Sequence, residues 1–97
     1  MLTSKQRTVL KGLAANETPI GQIGKGGITE KQIESFAAAI EKRELIKINV
    51  LENAGEDAKE LAKELETKLS AECVIVIGRK IVLYKKSSKK DVKHIEL

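Results

Sequence analysis

From Thr29 onward the spacing of apolar residues switches repeatedly between two periods, and that alternation restricts the chain to helices layered on a sheet. Ile33, Phe36, Ala37 and Ile40 recur at helical spacing and mark one buried stripe. Ile46, Ile48 and Val50 then alternate with Lys47 and Asn49, which predicts a half-buried strand over residues 45–51. Asn53-Ala54-Gly55 reads as a turn. Ala58, Leu61, Ala62, Leu65 and Leu69 return to the helical period and predict a helix over 56–70, with acids in its first turn. Residues 73–77 form a continuous apolar run, as in a strand covered on both faces. Gly78-Arg79 suits a two-residue hairpin turn, and residues 81–84 return as the last strand.

The segment before Thr29 adds one helix and one short strand. Thr3 and Gln6 match a capping box, and Leu10, Leu13 and Ala14 follow at helical spacing, so a helix is predicted over residues 4–15 despite Gly12. Asn16 to Pro19 ends it, because proline disfavours helix in the residue before it. Ile20 and Ile23 suggest a strand over 19–23, followed by the loop Gly24-Lys25-Gly26-Gly27 and a second capping box, Thr29 with Gln32. The order is helix, then strand-helix-strand-helix-strand-strand. It predicts one α/β (α+β layered) domain over residues 1–86 with a mixed four-stranded sheet. Residues 87–97 are basic and polar and are expected to form a flexible tail.

Composition narrows the function. The formal net charge of +4 favours polyanionic partners without requiring one. With one Phe, one Tyr and no Trp, no aromatic platform for base stacking can be assembled. Cys73 is the only cysteine and His94 the only histidine, so neither an intramolecular disulfide nor a metal-ligand spacing is available. The polar first residues and the lack of a long apolar run predict a cytoplasmic protein without a membrane segment. The charge is unevenly spread. Residues 1–31 carry five basic and two acidic groups, residues 55–72 three basic and six acidic, and residues 79–93 seven basic groups and Asp91. A polyanion is therefore expected at the first helix, the glycine loop and the final hairpin, with the third helix facing away.

A strand, then glycines, then a capped helix is an arrangement that binds anions. Loop N–H groups and unpaired N–H groups of the helix start can converge on one phosphate, and glycines let it approach closely. Lys25 adds a positive charge at the tip. The same glycines also suit a plain strand-to-helix turn. A Walker loop is excluded because Gly27, not Lys, follows Gly26, and a Rossmann fingerprint because Thr29 stands where a small residue is required. No cofactor and no small-molecule substrate is expected.

Leu10-Lys11-Gly12-Leu13-Ala14, Pro19 and Ile23-Gly24-Lys25-Gly26-Gly27-Ile28-Thr29 together resemble the CRM domain, the chloroplast RNA splicing and ribosome maturation fold. Glu44-Leu45-Ile46-Lys47-Ile48 and Ile77-Gly78-Arg79 through Val82-Leu83-Tyr84-Lys85 continue the resemblance, which spans residues 2–86. Family members often have His where this chain has Asn16. The resemblance implies a fold like the C-terminal domain of a bacterial translation initiation factor. It also implies RNA binding through a GxxG loop, here Gly24, Lys25, Gly26 and Gly27, and association with ribosomal RNA in precursors of the large subunit.

The remaining basic candidates are Arg7 and Lys11, one helical turn apart, Lys31 in the first turn of the second helix, Arg79 and Lys80 at the hairpin tip, and Lys85. Lys85 opens a run with Lys86, Lys89, Lys90 and Lys93 that suits non-specific affinity. Phe36 is expected in the core, Tyr84 in sheet packing and Cys73 as a small buried residue. Glu34 and Glu41 have no base, nucleophile or metal partner, so no catalytic set emerges. The expected protein is a monomeric, non-enzymatic RNA-binding domain. The rival reading is a protein-binding adaptor that uses its second or third helix. Major-groove DNA reading is disfavoured, since no helix gathers Arg, Asn and Gln on one face.

Overall fold

Each helix start carries the side-chain cap that its sequence encodes. In a computed structural model, which describes residues 2–89 and 91–97, helix α1 (Ser4–Ala14) opens on a reciprocal capping box between Thr3 and Gln6. Helix α2 (Glu30–Arg43) opens in the same way on Thr29 and Gln32. Helix α3 (Ala58–Leu69) starts two residues later than the acidic run suggests. Asp57 is its cap and accepts from the Glu60 N–H at 2.9 Å, so Glu56 and Asp57 lie before the helix.

The four strands are β1 (Gly21–Ile23), β2 (Leu45–Val50), β3 (Glu72–Ile77) and β4 (Lys80–Tyr84), in the order β1-β2-β4-β3. β1 runs parallel to β2 across the α2 crossover, and the other pairs are antiparallel, so the sheet is mixed as the element order implies. β1 is shorter than predicted: Pro19 cannot donate to a ladder, and only the Ile20 N–H reaches across to Lys47 O before the strand begins. At Gly21 a side chain has no room, because a Cβ there would lie 2.9 Å from Phe36 Cε1.

Three layers result. Ile23, Phe36, Ile40, Ile48, Leu61 and Leu65 belong to the larger core, between the sheet and the pair α2 and α3. Leu10, Ala14, Leu45, Val74 and Val82 form the smaller core beneath α1 on the opposite face. Helices on both faces account for the continuous apolar run of β3, although β3 is an edge strand. A bulge at Val74 lets Val74 and Ile75 both turn toward α1, while Cys73 and Val76 face α3.

The segment after β4 departs from its expected fraying. Ser87 is buried, and Ile95 packs against the smaller core. The cause is a pair of glutamates. Glu44, which follows α2 at φ 65°, is fully buried and accepts from the N–H groups of Ser87 and Ile95, both at 2.6 Å. His94 Nδ1 stands 2.6 Å from the same carboxylate, so that nitrogen carries the proton and donates it. Glu41 accepts from the Ser88 N–H and from the hydroxyls of Ser87 and Ser88. A polar composition suggested a solvated tail, but donors spaced along it are matched to two acids at the end of α2.

Candidate nucleic-acid interface

The glycine loop sits where three strand ends meet. The Leu51 N–H bonds Ile23 O and the Val50 N–H bonds Arg79 O, which places the exit of β1, the exit of β2 and the hairpin tip side by side. Gly24 to Gly27 closes as a turn through Gly27 N–H to Gly24 O at 3.0 Å. Gly26 has φ 94° and Gly27 φ 71°, while Lys25 keeps a negative φ, the pattern of a type II turn extended by a second left-handed residue. Two adjacent left-handed positions explain why a Gly-Gly pair stands here and not one glycine. Lys25 projects into solvent.

α2 begins directly behind this turn. The Gln32 N–H serves the capping box and the Ile33 N–H bonds Thr29 O, so the N–H groups of Glu30 and Lys31 remain at the positive end of the helix. Lys31 is exposed beside them, with Glu30 opposing part of its charge. Gln32 has a second task that its capping role does not reveal. Its Nε2 donates to Gln22 O at 2.6 Å and fixes the start of α2 over the end of β1.

Register extends the site across the sheet. Gln22, Asn49, Lys80 and Ile77 are direct cross-strand neighbours and form one row over all four strands. The row lies on the α1 side but beyond the reach of α1, leaving Gln22 and Lys80 exposed and Asn49 half-buried. Lys11 and Lys80 border a cleft floored by Ile75, Ile77 and Val82. Lys47, on the same face, donates to Ala14 O at 3.2 Å and to Glu17 O at 3.4 Å, satisfying carbonyls at the end of α1. Neither the amides nor the Lys47 contact is marked in the sequence, because cross-strand register is not a local property.

The candidate basic residues thus fall into three groups. Lys25, Lys31 and Lys80 lie at the same end of the domain as Gly24, Gly26 and Gly27, with Lys31 on the α2 face and Lys80 on the α1 face, and Lys11 borders the same cleft as Lys80. Arg79 is at that end too, but it stands 3.6 Å from Glu52 and borders a corner made acidic by Glu56 and Asp57. Arg7 and Lys85 lie elsewhere. Lys85 is at the other end of β4, 4.0 Å from Glu41.

Arg7 is committed within the fold. Its Nη1 donates to Cys73 O at 2.7 Å and Val74 O at 2.8 Å, and its Nη2 bonds Glu72 at 2.8 Å. The bulge turns successive carbonyls toward α1, and only a forked donor of this length meets them together. Arg7→Met should lower stability in urea denaturation by about 1–2 kcal/mol, the loss of charge-assisted bonds at a partly exposed site. Affinity for RNA should stay at the wild-type value. Weaker RNA binding at unchanged stability would return Arg7 to the interface.

The other singled-out side chains take structural places. Phe36 is buried in the larger core, as its stripe predicts. Tyr84 packs against the smaller core; burial and the nearby Glu44 charge push its phenol above the usual range. Burial and the Glu66 carboxylate likewise raise the Cys73 thiol, which makes it a poor nucleophile. Among the described residues, no group of three or more His, Cys, Asp or Glu could hold a metal ion. Among the described residues, no helix is long and apolar enough to cross a membrane.

Comparison with known proteins places this geometry. The chain is 46% identical over 97 residues to the Probable RNA-binding protein YqeI of Bacillus subtilis, covering 100% of this chain and 99% of that one. It is 33% identical over 86 residues to an RNA-binding protein of Haemophilus influenzae, covering 89% and 87% of the two chains. The solution structure of a Staphylococcus aureus protein described as a candidate RNA-binding protein superposes with a TM-score of 0.78 at 47% identity, covering 98% of this chain and all of the other. The family model for the CRS1 / YhbY (CRM) domain matches residues 2–85, and with the glycine turn between β1 and α2 in place the chain belongs to that family.

Proposed function

We propose that this chain is a non-catalytic RNA-binding protein that grips the ribose-phosphate backbone with Gly24, Lys25, Gly26 and Gly27, and that its target is ribosomal RNA in precursors of the large subunit. The observation that carries the reading is the glycine turn itself. Two left-handed glycines keep the turn free of Cβ atoms at the positive end of α2; the Gly27 N–H closes the turn on Gly24 O, which leaves the Gly26 N–H for a phosphate, with Lys25 exposed at the tip and Lys31 and Lys80 at the same end. The acidic residues of α3 lie on the far face of the sheet, so a polyanion at the turn approaches over Lys80 and Lys11. The absence of an aromatic platform fits recognition of backbone and shape over base identity. The names of the relatives support RNA as the partner, and the resemblance to ribosome maturation proteins supports the ribosomal target.

Lys25→Asp is the direct test. The side chain is in solvent, so thermal stability should be unchanged, while affinity for a large-subunit RNA fragment should fall about tenfold at low salt through the loss of one phosphate contact and the gain of a repulsive charge. Wild-type affinity would reduce the loop to a structural turn. The ribosomal target is tested by sedimenting native lysate at low salt with and without nuclease. Co-migration with large-subunit particles, lost at high salt, is expected; migration as a free small protein would remove that part of the reading.

A further inference from the structure

Residues 87–89 and 91–95 fold back onto one carboxylate. They enter at Ser87, whose N–H bonds Glu44, and return at Ile95, whose N–H bonds the other oxygen of Glu44. Glu41 adds bonds to Ser87 and Ser88, and Lys85 stands beside it. A side chain buried this fully, whose donors among the described residues all come from one segment, fixes the path of that segment. The path brings Lys89 and Lys93 against Lys42 of α2, around a shallow concavity that also includes Asp91 and Val92. Among the described residues, none of these three lysines has an acidic group within 4.0 Å. The negative end of α2 is already matched by Lys42 and Arg43 in its last turn, so Lys89 and Lys93 exceed what the helix dipole calls for.

We infer that Lys42, Lys89 and Lys93 form a second RNA-backbone contact, built by the Glu44-anchored strap at the end of α2 opposite the glycine turn. The inference rests on the reading of the chain as RNA-binding. α2 has 14 residues, which separates the two contacts by about 20 Å. One structured RNA then touches the domain at both ends of a single rigid helix, and the strap is part of the binding surface as well as of the fold.

The test uses the full chain and one structured large-subunit RNA fragment, with affinity measured across a salt series. The triple variant Lys42→Glu, Lys89→Glu, Lys93→Glu alters only exposed side chains and should stay folded, with a thermal midpoint slightly below that of the wild type because Lys42 no longer opposes the α2 dipole. Its affinity should fall at least tenfold at low salt, with the salt slope reduced by about 2. Wild-type affinity and slope would overturn the inference. Glu41→Gln and Glu44→Gln loosen the strap and leave all three lysines in place. A several-fold loss in either folded variant supports a built surface. Full affinity with a strap shown by amide exchange to be released would mean that the lysines act only as a solvated charged tail, and would overturn it. Lys25→Asp on the same RNA separates the two proposals. If it binds as wild type while the triple variant does not, the loop reading fails and the second contact stands; the reverse result removes the second contact alone.

Discussion

Glu44→Ala is expected to lower the stability of the domain by about 2–4 kcal/mol, which makes it one of the most damaging single changes outside the apolar cores. Three donors, the N–H groups of Ser87 and Ile95 and the ring N–H of His94, converge on this buried carboxylate. A buried donor left without a partner costs about 1–3 kcal/mol. The loss is bounded, because the strap can detach and hydrate its own donors, so it stays below the sum of the three. Backbone strain adds a second handle. Glu44 has φ 65°, where alanine is disfavoured and glycine is not, so Glu44→Gly should be about 0.5–1 kcal/mol more stable than Glu44→Ala although both lack the carboxylate. Urea denaturation ranks the two variants, and equal stabilities would mean that the backbone relaxes freely at this position.

The same anchor sets a pH dependence. For Glu44, burial alone pushes the carboxyl up, but hydrogen bonds from His94, Ile95 and Ser87 and the His94 charge outweigh it and hold the group below its ordinary value. The backbone and hydroxyl of Ser88 and the hydroxyl of Ser87 do the same for Glu41, with help from the charge of Lys85. A carboxyl depressed in the folded state stabilises fully above its unfolded value, about 4.3, and that contribution is lost as the pH falls through the depressed folded value. Amide exchange at Ser87 and Ile95 should therefore remain slow at neutral pH relative to its intrinsic rate and lose protection only in acid, as the pH falls through the depressed folded values and before the cores open. Simultaneous loss of protection at Leu65 and Ile95 would show that the strap is not a separate unit.

The second large effect is on binding. If Lys11, Lys25, Lys31 and Lys80 each neutralise a phosphate, log affinity for RNA should fall with log salt at a slope near −3, on the order of a hundredfold between 50 and 200 mM. Engagement of the three strap lysines as well steepens the slope to about −5. Backbone readout predicts that this slope is nearly the same for RNAs of different sequence but similar shape, since phosphates carry no sequence information. A flat salt response would sink the backbone reading whatever the affinity. A slope that varies strongly with sequence would point instead to the amides of Gln22 and Asn49 reading base edges.

Local signals carried most of this architecture. The two capping boxes and the apolar stripes mark α1 and α2 because helix starts are decided within four residues, and the alternation from Ile46 to Val50 marks β2 for the same reason. The glycine turn was legible because left-handed backbone leaves a trace in residue choice. What stayed hidden depends on contacts distant in the chain. Nothing near Arg7 indicates that a bulge 66 residues later will claim its guanidinium. Glu44 reads as an ordinary surface acid between a helix and a strand until Ser87 and Ile95, 43 and 51 positions onward, fold back onto it. The open row of Gln22, Asn49 and Lys80 exists only once the register of three strands is set.

The bulge in β3 also bears on how the chain avoids its own kind. An exposed edge strand whose sequence is Cys-Val-Ile-Val-Ile is the sort of segment that recruits another strand and starts a fibril. Here the ladder is broken at Val74, the carbonyls of Cys73 and Val74 are already occupied by Arg7, and Leu2 is tied to Glu72 at the entry of the strand. The most aggregation-prone stretch of the molecule is thus a poor template for intermolecular pairing as long as α1 stays docked. Detaching α1, by truncation or by loss of Arg7, would expose it.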